Sequence, residues 1–144
     1  DVIVALLTQE RSTYAGAYYA LDEAFCEPKS VQQPHPPICI GGSGEKRTLR
    51  TVARIAQHWN YVGGPVAEYL RLKEVLAEHC ATFGRDPGEI TTSAHLRFNP
   101  DDPKAVAGEA EAFAEAGLDL GIVYLPPPHT PAVLETVAEA VAGI

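Results

Sequence analysis

The run Ile38-Cys39-Ile40-Gly41-Gly42-Ser43-Gly44 constrains this chain more than any other, because three apolar residues pass straight into three glycines with a helical pattern behind them. Pro34, Pro36 and Pro37 precede it; prolines hold the backbone extended and lack an N–H, so they deliver the chain to the start of a strand rather than to its middle. Ile38, Cys39 and Ile40 are apolar without alternation, which predicts a strand buried on both faces. The helix predicted after the glycines runs over 45–57, with Leu49, Val52, Ala53 and Ala56 inward. A strand, a tight turn and a helix in this order form the unit of a parallel α/β sheet.

The same unit recurs along the chain. His58 to Val62 reads as a second strand, and a helix over Val66 to Phe83 follows Gly63-Gly64-Pro65, with Tyr69, Leu70, Leu72, Val75, Leu76 and Cys80 inward and Gly84 as its stop. Ile90 to Phe98 reads as a third strand, with Asp101 or Asp102 capping a helix from Pro103 to Ala116 that Gly117 ends. Leu120 to Leu125 is a fourth strand, and Pro131 to Ala142 a last helix. Ahead of this array, Asp1 to Leu7 carries a helical pattern that reads as the middle of a helix, so a fragment of a longer chain is expected. Ser12 to Tyr19 reads as an aromatic hairpin turning at a positive-φ Gly16. The expected organisation is therefore a lead-in over 1–34 and a (β/α)4 array over 35–144. Four β/α units make half of an eight-stranded barrel or a small open doubly wound sheet, and periodicity alone does not separate the two.

Charge and composition exclude several roles. A net charge of −8 repels nucleic acid phosphates and anionic lipid, so neither is an expected partner. Three cysteines at wide spacing fit neither a disulfide framework nor a zinc site, and reduced thiols in the cytoplasm are the expectation. No apolar run reaches the ~20 residues of a membrane span. No metal is expected, since His35, His79 and His129 share no ligand spacing. Glu109, Glu111 and Glu115 read as the solvated side of a helix.

The chemistry-bearing segment is Ile40 to Gly44 with the helix behind it. A helix N-terminus presents unpaired amides and partial positive charge, so it attracts anions. Gly41, Gly42 and Gly44 let the main chain approach a phosphate closely, Ser43 adds a hydroxyl, Lys46 or Arg47 adds charge, and Thr48 is a weaker donor. The spacing is neither that of a P-loop nor that of a dinucleotide fold. The bland alternative is a plain strand-to-helix turn. Trp59 has two readings, a cavity-lining ring or a core indole; Asn60 is placed to donate to a carbonyl or phosphate. His58, beside an aromatic, reads as structural or solvent-facing. Ser93, His95 and Arg97 alternate on their strand, giving it a polar face directed to a cavity or to an exposed edge.

In sequence, the stretch Pro34 to Gly44, then Thr48-Leu49-Arg50, then Ala53-Arg54-Ile55-Ala56-Gln57-His58-Trp59-Asn60 resembles the luciferase-like monooxygenase family. Gly16 to Leu21 and Glu27-Pro28-Lys29 look like the family's lead-in, so the resemblance is dense over Tyr14 to Asn60. It implies the C-terminal half of a TIM-like (β/α)8 barrel. It also implies coenzyme F420, or alternatively FMN, held through its phosphate by Ile40, Gly41, Gly42, Ser43 and Gly44 with Trp59 and Asn60 nearby. The implied reaction is hydride transfer between that cofactor and a small organic substrate. The family commonly places Asp-Gly before the Trp-Asn pair, where this chain has Gln57-His58, so the acidic position's role does not carry over. Members usually have about twice this length, so partnership with a missing N-terminal half, or with a second copy, is expected. A non-catalytic phosphate-binding or self-assembling half-barrel is the alternative function.

Overall fold

The computed structural model describes residues 1–142, which divide into a unit over 1–37 and a second from Ile38 onward. In the first unit, helix α1 (Val2–Thr8) precedes an antiparallel hairpin of β1 (Ser12–Ala15) and β2 (Ala20–Ala24). The hairpin is closed by the Gly16 amide donating to the Tyr19 carbonyl at 2.9 Å. Gly16 does not take the positive φ expected of it, although a Cβ there would lie 2.5 Å from the Tyr14 ring, which would have to turn aside. Lys29 ties the lead-in together, its Nζ donating to the carbonyls of Leu6 and Cys26 at 3.0 and 2.7 Å.

The second unit is a four-stranded parallel sheet in the order β3 (Cys39–Gly41), β4 (His58–Tyr61), β5 (Thr91–Arg97) and β6 (Leu120–Tyr124). The connecting helices are α2 (Thr48–Ile55), α3 (Val66–Phe83) and α4 (Ala105–Glu115), with α5 (Pro131–Val141) after β6. Strands laid down in sequence order with crossovers of one hand put their helices on one face of the sheet. The predicted alternation of strand and helix is therefore what forms. The α/β class with four parallel β/α units holds.

The core lies between sheet and helices. Trp59 and Tyr61 of β4 project into it against Tyr69 of α3 and Phe113 of α4, all buried. Trp59 stacks on Tyr69 with centroids 5.7 Å apart, and Phe113 meets Tyr69 edge-on at 5.6 Å, contacts worth ~0.5–1.5 kcal/mol each beyond their buried area. Two helix ends follow the glycine logic. Gly84 adopts the left-handed conformation at φ 65°, where a residue without Cβ is cheapest, and its amide closes onto Ala81. Gly117 repeats the device at φ 74°, while Lys73 Nζ donates to the freed carbonyls of Ala116 and Gly117 at 3.1 and 3.2 Å.

Several local expectations fail for identifiable reasons. The Ile38–Ile40 strand is not buried on both faces: β3 lies at the sheet's end, with Cys39 exposed and Ile40 half-buried. Helix α2 begins at Thr48 rather than at Glu45, because Glu45–Arg47 form a turn and the Leu49 amide reaches back to the Gly44 carbonyl at 3.0 Å. It also stops at Ile55, short of the expected Gln57, whose side chain donates to the Ile55 carbonyl and accepts from the Ile38 amide. Neither Asp101 nor Asp102 caps α4; Lys104 occupies that position without a side-chain cap. Leu70, expected inward, is 45% exposed, since the α3 stripe runs instead through Tyr69, Leu72, Leu76 and Cys80.

Candidate functional site

The site is built at the C-terminal ends of β3 and β4. Gly41 is the last residue of β3, and a Cβ on it would touch Asn60 Oδ1 at 3.6 Å. Gly42 turns the chain with φ 121°, a conformation that L side chains rarely adopt. Its amide donates to the Asn60 carbonyl at 3.0 Å, and its carbonyl accepts from Trp59 Nε1 at 2.9 Å. The glycine turn is thus sewn to the tip of β4 on both sides.

From there the chain runs Ser43-Gly44-Glu45-Lys46-Arg47. Among the described residues, none of these five amides donates to a protein acceptor. They border an open depression of about 640 Å³ lined by Ser43 through Thr48. A Cβ on Gly44 would stand 2.8 Å from Thr48 Oγ1, so the Thr48 side chain would have to move to admit one. Glu45 is the one acid among Ser43 to Thr48, and α3 restrains it twice. Arg71 pairs with its carboxylate at 2.9 Å, and His79 Nε2 donates to its carbonyl at 2.8 Å. Sequence spacing gave no hint of either contact, because both partners lie a full β/α unit away.

Strand alternation sends β4 side chains to opposite sides of the sheet. Trp59 goes to the helix side, fully buried, and reaches the loop only through its indole N–H. Asn60 goes to the other side with His58, and there both bond one hydroxyl. Ser93 Oγ accepts from Asn60 Nδ2 at 2.8 Å and shares a hydrogen bond with His58 Nε2 at 2.7 Å. Ser93 is itself fully buried. This buried layer, with His58 as a structural member, was foreshadowed only by the polar alternation of β5.

The rest of that alternation leads to a second depression of about 470 Å³, lined by Val62, Gly63, Gly64, His95, Arg97 and Glu109. His95 is half-buried, its ring 4.5 Å from that of Tyr124 on β6. Glu109 is therefore not merely a solvated helix residue; it is half-buried and faces this space, unlike the exposed Glu111 and Glu115. Tyr61 sits beneath, its hydroxyl donating to Glu68 Oε2 at 3.0 Å. Burial first, then the Glu68 hydrogen bond and charge, push its phenol up to about 12. Among the described residues, no three His, Cys, Asp or Glu side chains are grouped to hold a metal, and no helix is long and apolar enough to cross a membrane.

Known proteins resemble this chain in sequence or in fold. The chain is 27% identical over 109 residues to an FMNH2-dependent dimethylsulfone monooxygenase of Pseudomonas putida, covering 76% of this chain and 30% of that protein. An uncharacterized protein of Mycobacterium tuberculosis is 36% identical over 59 residues, 41% of this chain and 21% of the relative. Among solved structures, the coenzyme F420 dependent tetrahydromethanopterin reductase from Methanopyrus kandleri superposes with a TM-score of 0.78 at 17% identity, covering 99% of this chain and 60% of that one. An F420-dependent secondary alcohol dehydrogenase, solved with an F420-acetone adduct, gives 0.78 at 16% identity, with 97% and 58% covered. The structural likenesses speak to fold, and this chain spans less than two thirds of the length of each of these proteins. The sequence profile of luciferase-like monooxygenases matches residues 1–142, and the chain belongs to that family.

Proposed function

We propose that this chain supplies the cofactor-phosphate site of an oxidoreductase that moves a hydride between a flavin-type cofactor and an organic substrate, with coenzyme F420 as first choice and FMN as second. The observation that carries the reading is the set of five consecutive amides, Ser43 to Arg47, without protein acceptors at the rim of an open depression. Such amides at a turn entering a helix favour a phosphate by hydrogen bonding and by dipole. The residues fit the group. Gly42 and Gly44 leave space that a Cβ would fill, Ser43 offers a hydroxyl, Lys46 and Arg47 bring charge, and Arg71 neutralises the one acid in the loop.

When bound, the cofactor supplies the hydride chemistry, and the protein supplies binding and orientation. In this reading Trp59 acts through Gly42, holding the turn open, and Asn60 fixes the other side of the turn while its Oδ1 lies beside Gly41. The names of the relatives, F420-dependent in two solved structures and FMNH2-dependent in one sequence relative, support these two cofactors. Among the described residues β3 and β6 end the strand order, which supports association with further strands, from a second copy or from additional chain. Equilibrium dialysis against F420 and against FMN tests the reading. Binding of at least one, weakened by excess inorganic phosphate, is expected; retention of neither overturns it.

A further inference from the structure

The depression at the ends of β4 and β5 shares no lining residue with the glycine loop, and its walls carry opposite charges that do not meet. Arg97 leaves the end of β5 exposed, and among the described residues its guanidinium has no ion pair. Glu109 of α4 lines the same space, also without an ion pair. The two opposite charges line one cavity yet stand farther apart than the 4 Å of an ion pair. The same cavity is lined by Gly63 and Gly64. The amides of Gly63 and Gly64 have no acceptor among the described residues, and both glycines hold positive φ, 121° and 141°. Neither could be another residue without cost: a Cβ on Gly63 would press on the His95 carbonyl at 3.4 Å, and one on Gly64 would overlap the Tyr61 hydroxyl. His95, its ring 4.5 Å from that of Tyr124, lines the same cavity, and among the described residues its ring nitrogens have no hydrogen-bond partner.

From this geometry we infer that the cavity binds a small organic acid that also carries a hydrogen-bond donor, a hydroxy acid or amino acid. The carboxylate takes Arg97 and the glycine amides, and the hydroxyl or ammonium takes Glu109. A guanidinium with flanking backbone N–H groups matches a carboxylate's planar pair of acceptors. Glu109 repels a simple carboxylate but accepts from a donor next to it, so the pair reads both ends of one molecule. A volume near 470 Å³ lies within the usual range of small-molecule sites. The ends of parallel strands are where such folds place ligands. That this acid is the substrate rests on the oxidoreductase reading; that it binds does not.

The test is a titration of the full chain, 15N-labelled, with sodium lactate, sodium acetate and propane-1,2-diol, following backbone amide resonances. Lactate is expected to move the Gly63 and Gly64 amides, acetate to do so more weakly, and the diol not at all. Arg97→Gln is expected to weaken lactate by at least about tenfold. Glu109→Ala is expected to weaken lactate and strengthen acetate, collapsing the preference between them. Unchanged dispersion of the remaining resonances shows that each variant is folded. Gly63 and Gly64 unmoved by lactate, or equal lactate affinity in Arg97→Gln, overturns the inference. Failure of the cofactor reading shows elsewhere, as Ser43–Arg47 amides that ignore phosphate.

Discussion

The indole Nε1 of Trp59 donates to the carbonyl of Gly42 at 2.9 Å, joining the buried aromatic cluster to the turn that opens the glycine loop. Packing energy thereby becomes loop geometry. Trp59→Phe keeps most of the ring contact with Tyr69 but leaves the Gly42 carbonyl without its donor. A loss of about 1–3 kcal/mol is expected in urea unfolding. Phosphate affinity should fall as well, measured by titration of the variant against the parent protein.

Gly44 and Thr48 compete for one space. Gly44→Ala places a Cβ 2.8 Å from Thr48 Oγ1, so the single variant should lose about 1–3 kcal/mol and bind phosphate less well. Thr48→Ala in the same chain removes the obstruction. The double variant should recover most of the stability, and a thermal unfolding cycle of the four proteins reads the coupling.

Arg71 and Glu45 form an exposed pair, and such pairs contribute only ~0–1 kcal/mol to folding. Their expected effect is on binding. Arg71→Ala leaves the Glu45 carboxylate unpaired in the loop and should weaken phosphate several-fold at low salt, with little change in unfolding. Arg71→Ala with Glu45→Gln should restore much of the affinity, as measured by phosphate competition against bound FMN.

Tyr61 gives a pH signature. Its folded-state phenol is raised to about 12, mainly by burial, so the neutral form is the one the fold favours. The associated stability is present below the ordinary tyrosine value of ~10 and is lost as pH rises from there through about 12. Ultraviolet titration near 295 nm should show a late tyrosine that Tyr61→Phe removes, and stability should depend less on alkaline pH in that variant.

Much of the fold was legible because its signals are local. Val66–Phe83 emerges at the bounds that its stripe and Gly84 predict, and the strand at Leu120 follows Gly117 as expected. Errors fall where a tertiary contact overrides a local pattern. Glu45–Arg47 suit a helix, yet α2 waits until Thr48 while Glu45 is held by Arg71 and His79 of the next unit. Ile38–Ile40 look like a central strand, but whether such a run is flanked on both sides depends on neighbours that composition does not specify. At the candidate site, the glycines and Asn60 could be picked out from the strand-turn-helix pattern and the family resemblance. Ser93 shows in sequence only as part of a polar alternation, because its bond to Asn60 comes from the pairing of β4 with β5. Glu109 reads from sequence as a solvated helix acid for a similar reason: it becomes informative only once Arg97 is found lining the same cavity.

The central claim is that the main chain of Ser43 through Arg47 holds a phosphate. Amide resonances of the labelled protein, followed during separate additions of FMN, inorganic phosphate and phosphate-free riboflavin, address it directly. Shifts at Ser43, Gly44, Glu45, Lys46 and Arg47 with FMN and with phosphate, and none there with riboflavin, are predicted. Stationary resonances at all five with every phosphorylated compound would contradict the account.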